Sequence, residues 1–172
     1  MNSIKEQLSN HIQSSASDLK QYKPDFYRIA KGNTTGLEKL LQLPGIKVYD
    51  ELHSQLRELV KSLHPKHKFQ TKELDQAAWD YLEGQDPFEY GVWVYYPWLN
   101  KLVHILDKEE YRSVRTNRNQ FKIMPEERDH LAKKKIGVIG LSVGQSVSLA
   151  LSMERSYGEL RLADFDMLEL SN

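Results

Sequence analysis

The sequence predicts a mixed α/β chain: a mainly helical region with one β-hairpin over residues 1–107, then a strand–helix–strand unit over 108–172. Three observations carry that expectation. Leucine-rich stripes recur at helical spacing through the first ninety residues or so. A period-two segment follows at Val92 to Tyr96. Near the end, an apolar run leads through a glycine-containing turn into an apolar helix and a second short strand that closes on an acidic residue.

Taken in order, residues 1–20 place Ile4, Leu8, Ile12, Ala16 and Leu19 on one helical face, broken by serines at 14, 15 and 17. Such a helix is marginal alone and is expected to dock on something. Lys23-Pro24-Asp25 ends it. Leu37, Leu40 and Leu41 form the next apolar set, stopped by the turn at Pro44-Gly45. Asp50 is placed to cap a helix in which Leu52, Leu56, Leu59, Val60 and Leu63 make a continuous stripe up to Pro65. Thr71 opens another, with Leu74, Ala77, Ala78, Tyr81 and Leu82, and Gly84 and Pro87 close it.

Val92 to Tyr96 alternates and is rich in strand formers; Pro97 to Asn100 supplies a turn and Leu102 to Leu106 returns as the second arm of a hairpin. A two-stranded ribbon is not stable by itself and has to pack on the helices or join a larger sheet. Lys108 to Arg118 is charged and expected to be helical, and Pro125 followed by two glutamates opens a helix to Lys133. The domain boundary is placed near Lys108.

In the last forty residues, Ile136 to Ile139 reads as a buried parallel strand, and Gly140-Leu141-Ser142-Val143-Gly144 as its turn into a helix. Val143, Val147, Ala150, Leu151 and Glu154 fall on helical spacing, and Leu160 to Asp164 returns as a second strand, parallel to the first because a helix connects them. The N–H groups at Ser142 to Gly144 would face a phosphate at the positive end of the helix. Asp164 stands at the tip of the second strand, where a carboxylate can accept from ribose hydroxyls. Together these describe a cradle for an adenosine nucleotide.

Val138-Ile139-Gly140, Asp164-Phe165-Asp166 and Glu169-Leu170-Ser171-Asn172 resemble the adenylation core of the ubiquitin-activating superfamily, whose bacterial members are the ThiF, MoeB and HesA type adenylyltransferases. The family pattern is G-x-G-G-x-G, then D-x-D, then S-N-L-x-R-Q. With Gly140 on the first glycine, Asp164 falls on the ribose-binding aspartate and Asn172 on the asparagine. Arg115 to Arg118 is similar to the family's R-Y-x-R-Q segment, which sets Arg118 on an arginine that reaches nucleotide phosphates, sometimes in a neighbouring subunit. The resemblance covers Arg115 to Asn172, about a third of the chain. It implies a Rossmann-like ThiF fold, ATP and magnesium as cofactors, a homodimer, and adenylation of a carboxylate, typically the C-terminus of a ubiquitin-like or sulfur-carrier protein. Ser142 and Val143 stand where the family has its second and third glycines and Gln145 where it has the last, with Gly144 displaced by one. The family's later arginine, lysine and magnesium-binding aspartate would fall beyond Asn172, so the 172 residues alone are expected to show no turnover.

Composition narrows the alternatives. Basic and acidic residues balance at 24 each, so no global field favours nucleic acid. The absence of cysteine excludes disulfides, thiolate metal sites and cysteine nucleophiles. No apolar run reaches the roughly eighteen residues of a membrane span and no signal peptide is legible, so the expected compartment is the cytoplasm. Gly140 to Gly144 also fits the nucleophile elbow G-x-S-x-G, with Ser142 as nucleophile, but no histidine follows His130 to serve as its base. The turn and Asp164 suit a nicotinamide dinucleotide as well as ATP. A third reading makes the first hundred residues a protein-interaction module beside a nucleotide fold that is only structural. His64 and His67 read as a solvated loop and no metal ligand set is assigned; Trp93, Tyr95, Tyr96 and Trp98 read as hairpin or core packing.

Overall fold

The computed structural model describes residues 3–16, 22–29, 32, 34–119, 122–167 and 170, with backbone alone at Ser15, Ala16 and Pro125. The chain is mixed α/β and divides into two compact units, Met1–Tyr111 and Arg112–Asn172. The division falls a few residues beyond the boundary expected at Lys108, inside a helix that spans Lys108–Thr116.

The first unit is built on a four-stranded sheet of order β1-β3-β4-β2. The hairpin read from the sequence is its centre: β3 (Val92–Tyr96) pairs antiparallel with β4 (Lys101–Ile105) across a 3-10 turn at Pro97–Leu99. Asn100 takes the left-handed conformation that closes the turn, and its side chain bonds Pro44 O and Tyr95 Oη. Two strands absent from the sequence reading flank it. β1 (Asp25–Tyr27) adds antiparallel to β3, where Lys23-Pro24-Asp25 was read only as a breaker. β2 (Lys47–Asp50) adds parallel to β4. Both are short edge strands, and β2 is exposed at all four positions, so neither shows the alternation that marks a half-buried strand.

The helices of this unit follow the stripes. α1 (Ile4–Ala16) forms as expected, but Ile4, Leu8 and Ile12 stay more than half exposed, and Leu19 lies outside the described residues. α2 (Thr34–Leu41) buries Leu37 against Trp93 and Leu102. α3 (Leu52–Leu63) buries Leu52, Leu56, Leu59 and Val60; its N-cap is Glu51, without a side-chain cap bond, rather than the expected Asp50, which lies one residue earlier and accepts from Leu52 N–H at 3.0 Å. α4 (Thr71–Asp80) buries Leu74 and Ala78 and starts with a capping box in which Glu73 accepts from Gln70 N–H at 3.1 Å.

One polar side chain sits at the centre of this core. His104 is fully buried, stacked on Trp93 at 4.2 Å, with Nε2 donating to Tyr90 O at 2.8 Å and Nδ1 facing Asp50 Oδ1 at 3.0 Å. Both ring nitrogens have partners, which is what a buried imidazole requires. Gly91, beside it, has φ +71 and no room: a Cβ there would lie 2.3 Å from Ile105 O. Trp93 is therefore a core residue, 7% exposed, rather than part of a ligand platform.

The second unit holds the C-terminal part of α5 (Lys108–Thr116), a 3-10 turn at Asn117–Asn119, α6 (Pro125–Leu131), β5 (Lys135–Ile139), α7 (Leu141–Glu154) and β6 (Glu159–Ala163). β5 and β6 pair in parallel, Lys135 opposite Glu159 and Ile139 opposite Ala163, with α7 as their crossover. The face that α7 turns inward differs from the expected one. Val143 and Val147 are 79% and 50% exposed, whereas Ser148 is buried and Gly144 touches the sheet so closely that a Cβ would lie 2.7 Å from Val138 Cγ1. Small residues win the inner face because they let the helix axis approach the strands.

Candidate functional site

The site begins where β5 ends. Gly140 takes φ 84 and ψ 103, a conformation that side chains resist, and so turns the strand into α7 within one residue. Its N–H donates to Ala163 O at 2.9 Å, continuing the parallel pairing to the tip of the sheet. The next residue on β6 is Asp164. Its Oδ2 accepts from Leu141 N–H at 2.5 Å and its Oδ1 from Asp166 N–H at 3.0 Å, so one carboxylate ties the start of α7 to the turn after β6. The Asp166 and Leu141 backbone donors, in that order, hold this carboxyl below the usual carboxylate range. The group is exposed, and with Phe165 N–H as a further backbone donor it keeps part of its acceptor capacity for a ligand.

The first turn of α7 is left open. In α3, α4 and α6 the fourth N–H already finds the carbonyl four residues back: Gln55 to Glu51, Leu74 to Gln70 and Arg128 to Met124, at 2.9 to 3.0 Å. In α7, as in those helices, the Ser142 and Val143 N–H groups precede the first such bond and have no carbonyl four residues back within the helix. The Ser142 and Val143 donors therefore stand at the positive end of a helix, beside an exposed carboxylate. A Cβ on Gly140 would meet nothing within 4 Å, so the backbone there is open to approach.

Of the residues singled out in the sequence, Gly140, Ser142, Val143, Gly144 and Asp164 are thus brought together. Asn172 lies outside the described residues. Arg118 is exposed in the 3-10 turn at Asn117–Asn119, and its neighbours line a cavity with Glu154 and Arg155 at the far end of α7. Fourteen helical residues span about 20 Å, so Arg118 does not join the cradle of its own chain. Gly144 packs directly against Val138 of β5. Sequence reasoning missed the capping bond from Asp164, since nothing in the spacing of 141 and 164 distinguishes a ligand from a cap.

His67 Nε2 pairs with Glu73 Oε1 at 2.7 Å, and its ring packs edge-on against Phe69. Among the described residues no three His, Asp or Glu side chains cluster as a metal ligand set. Among the described residues, also, no helix is long and apolar enough to cross a membrane.

No family model matches the chain, and no solved structure matches it. A stretch of 80 residues, 46% of the chain, is 46% identical to an uncharacterized protein of Mycobacterium tuberculosis (strain CDC 1551 / Oshkosh). That stretch spans 11% of the length of the relative it matches.

Proposed function

We propose that the second unit is the nucleotide-binding start of a Rossmann-like adenylation domain of the ThiF, MoeB and HesA kind. The larger activity is then ATP-dependent activation of a carboxylate, the C-terminus of a ubiquitin-like or sulfur-carrier protein. The observation that carries the reading is the first-turn N–H groups at Ser142 and Val143, next to Leu141 and the Asp164 carboxylate that caps it. Such a row of donors at a helix start suits phosphate oxygens. Asp164 would accept from ribose hydroxyls through its remaining acceptor positions. In the reaction, a carboxylate oxygen attacks the α-phosphorus, the bond to the bridging oxygen breaks, and pyrophosphate leaves with its negative charge. Catalysis of that step rests on clamping charge rather than on a protein nucleophile.

The residues fit the nucleotide better than the metal. Asp164 and Asp166 are the acids at the cradle, and one of Asp164's positions on each oxygen is already taken by backbone. No step is assigned to magnesium. Arg118 would serve a partner subunit's phosphates, in keeping with a homodimer. The reading is tested by titrating ATP, and separately NAD, against the 172-residue chain by calorimetry. ATP is expected to bind, and Asp164→Asn to weaken it about tenfold. No heat at about millimolar ATP, or tighter binding of NAD, overturns it.

A second reading draws on α1. Its exposed Ile4, Leu8 and Ile12 form an apolar stripe that nothing among the described residues covers, which favours a protein-interaction role for the first unit.

A further inference from the structure

The far end of α7 carries features the cradle does not use. A cavity of ≈ 90 Å³ lies there, bordered by Thr116, Asn117 and Asn119 from the α5 segment, Arg128 from α6, and Glu154 and Arg155 from the end of α7. A second cavity of ≈ 230 Å³ shares Thr116 and Arg155 with it and adds Arg115. A water needs only about 10–15 Å³ of such space, so the smaller cavity has room for a molecule of several heavy atoms.

Two atoms in its lining are unsatisfied. Arg128 Nε, a donor, and Glu154 Oε2, an acceptor, are both buried and without a hydrogen-bond partner among the described residues. The two other orphans among the described residues, His53 Nε2 and Asp75 Oδ1, lie 3.9 Å apart and face each other. Arg128 and Glu154 are ion-paired with other residues, not with each other. Arg128 Nε has only the neighbouring Asp129 carboxylate at 3.6 Å, and Glu154 has Lys122 Nζ at 3.7 Å from its other oxygen. Arg155 adjoins them in a left-handed conformation and makes no ion pair among the described residues. A polar atom buried without a hydrogen bond is costly, and here one donor and one acceptor of this kind belong to side chains that border the same space.

We propose that this cavity binds a small zwitterion of the amino-acid class. Its carboxylate would accept from Arg128 and Arg155, planar donors suited to that group, and its ammonium would donate to Glu154 Oε2. A simple anion satisfies the arginines but leaves Glu154 beside added negative charge. A simple cation does the reverse. A zwitterion completes both.

The test uses the full chain and calorimetric titration with glycine, L-alanine, L-serine and L-aspartate, against acetate, methylammonium and inorganic phosphate. At least one amino acid is expected to bind saturably, and acetate and methylammonium at least about tenfold more weakly. Glu154→Gln and Arg128→Gln, shown to be folded by circular dichroism, are each expected to weaken binding about tenfold or more. Asp164→Asn is expected to leave it unchanged, which separates this site from the nucleotide cradle. The proposal is overturned if no amino acid binds, if phosphate binds as tightly, or if affinity survives both cavity substitutions. Should those variants fail to fold, the ranking of amino acid over acetate and methylammonium on the unaltered chain decides alone.

Discussion

The first unit closes a core and the second does not. Leu56, Ala78 and Leu102 in the first are fully buried, together with ten further apolar residues that are all 8% exposed or less. In the second, among the described residues, only Thr116 and Ser148 are buried, both polar, while Ile139, Val143, Phe165 and Met167 are 74% to 91% exposed. Parallel strands are ordinarily covered on both faces. This unit therefore carries more apolar surface than its two strands and their helices cover, and its local order rests on backbone pairing and capping. The difference teaches where stability and function separate: the well-packed unit holds shape, and the open one presents donors and charges.

Substitutions can sharpen or break that contrast. Leu56→Ala should have the largest effect, about 4 kcal/mol of lost stability, because a fully buried leucine leaves a cavity behind. Urea unfolding followed by tryptophan emission measures it, since Trp79, Trp93 and Trp98 all belong to the first unit. Gly91→Ala follows at about 3 kcal/mol, from the contact with Ile105 O added to a positive φ. Gly140→Ala meets only the second of those penalties, the space around it being open, and should cost about 1–2 kcal/mol. Amide exchange in α7 would register it, and an effect as large as that of Gly91→Ala would erase the distinction drawn between the units. Val147→Ala should change stability by less than about 0.5 kcal/mol, because the side chain is half exposed.

The smallest effect is electrostatic. Backbone donors lower the folded-state pKa of Asp164, so its contribution is fully present above the unfolded value of about 3.9 and fades as pH falls through the lower folded value. Asp164→Asn should therefore speed amide exchange at Leu141 at neutral pH and flatten the acid-side loss of protection there. An unchanged acid profile would mean that the bond to Leu141 contributes nothing.

Much of this was legible in the sequence, for physical reasons that also explain the failures. The stripes of α3 and α4 could be read because one face of each is apolar and the other charged. α7 could be placed but not oriented: apolar residues surround most of it, so periodicity does not reveal which side packs, and Gly144 and Ser148 decided the matter through size. β1 and β2 are three and four residues long and stand at sheet edges, too short to show alternation. At the cradle, the glycine turn and Asp164 could be aligned from spacing alone, whereas the cavity at Arg128 and Glu154 draws on separate helices and leaves no linear trace. The buried His104 gave no signal either, since its partners come from residues 50 and 90.

Arg28 and Asp107 form a two-pronged ion pair at 2.6 and 2.7 Å across 79 positions, from the end of β1 to the segment after β4. During synthesis, then, the first strand to leave the ribosome is the one obliged to wait. Until β3 and, later still, Asp107 have emerged, β1 has neither its neighbour nor its clasp, and its tyrosine and phenylalanine travel unescorted. Nascent chains halted just short of residue 107 should be the ones that holdase chaperones retain longest.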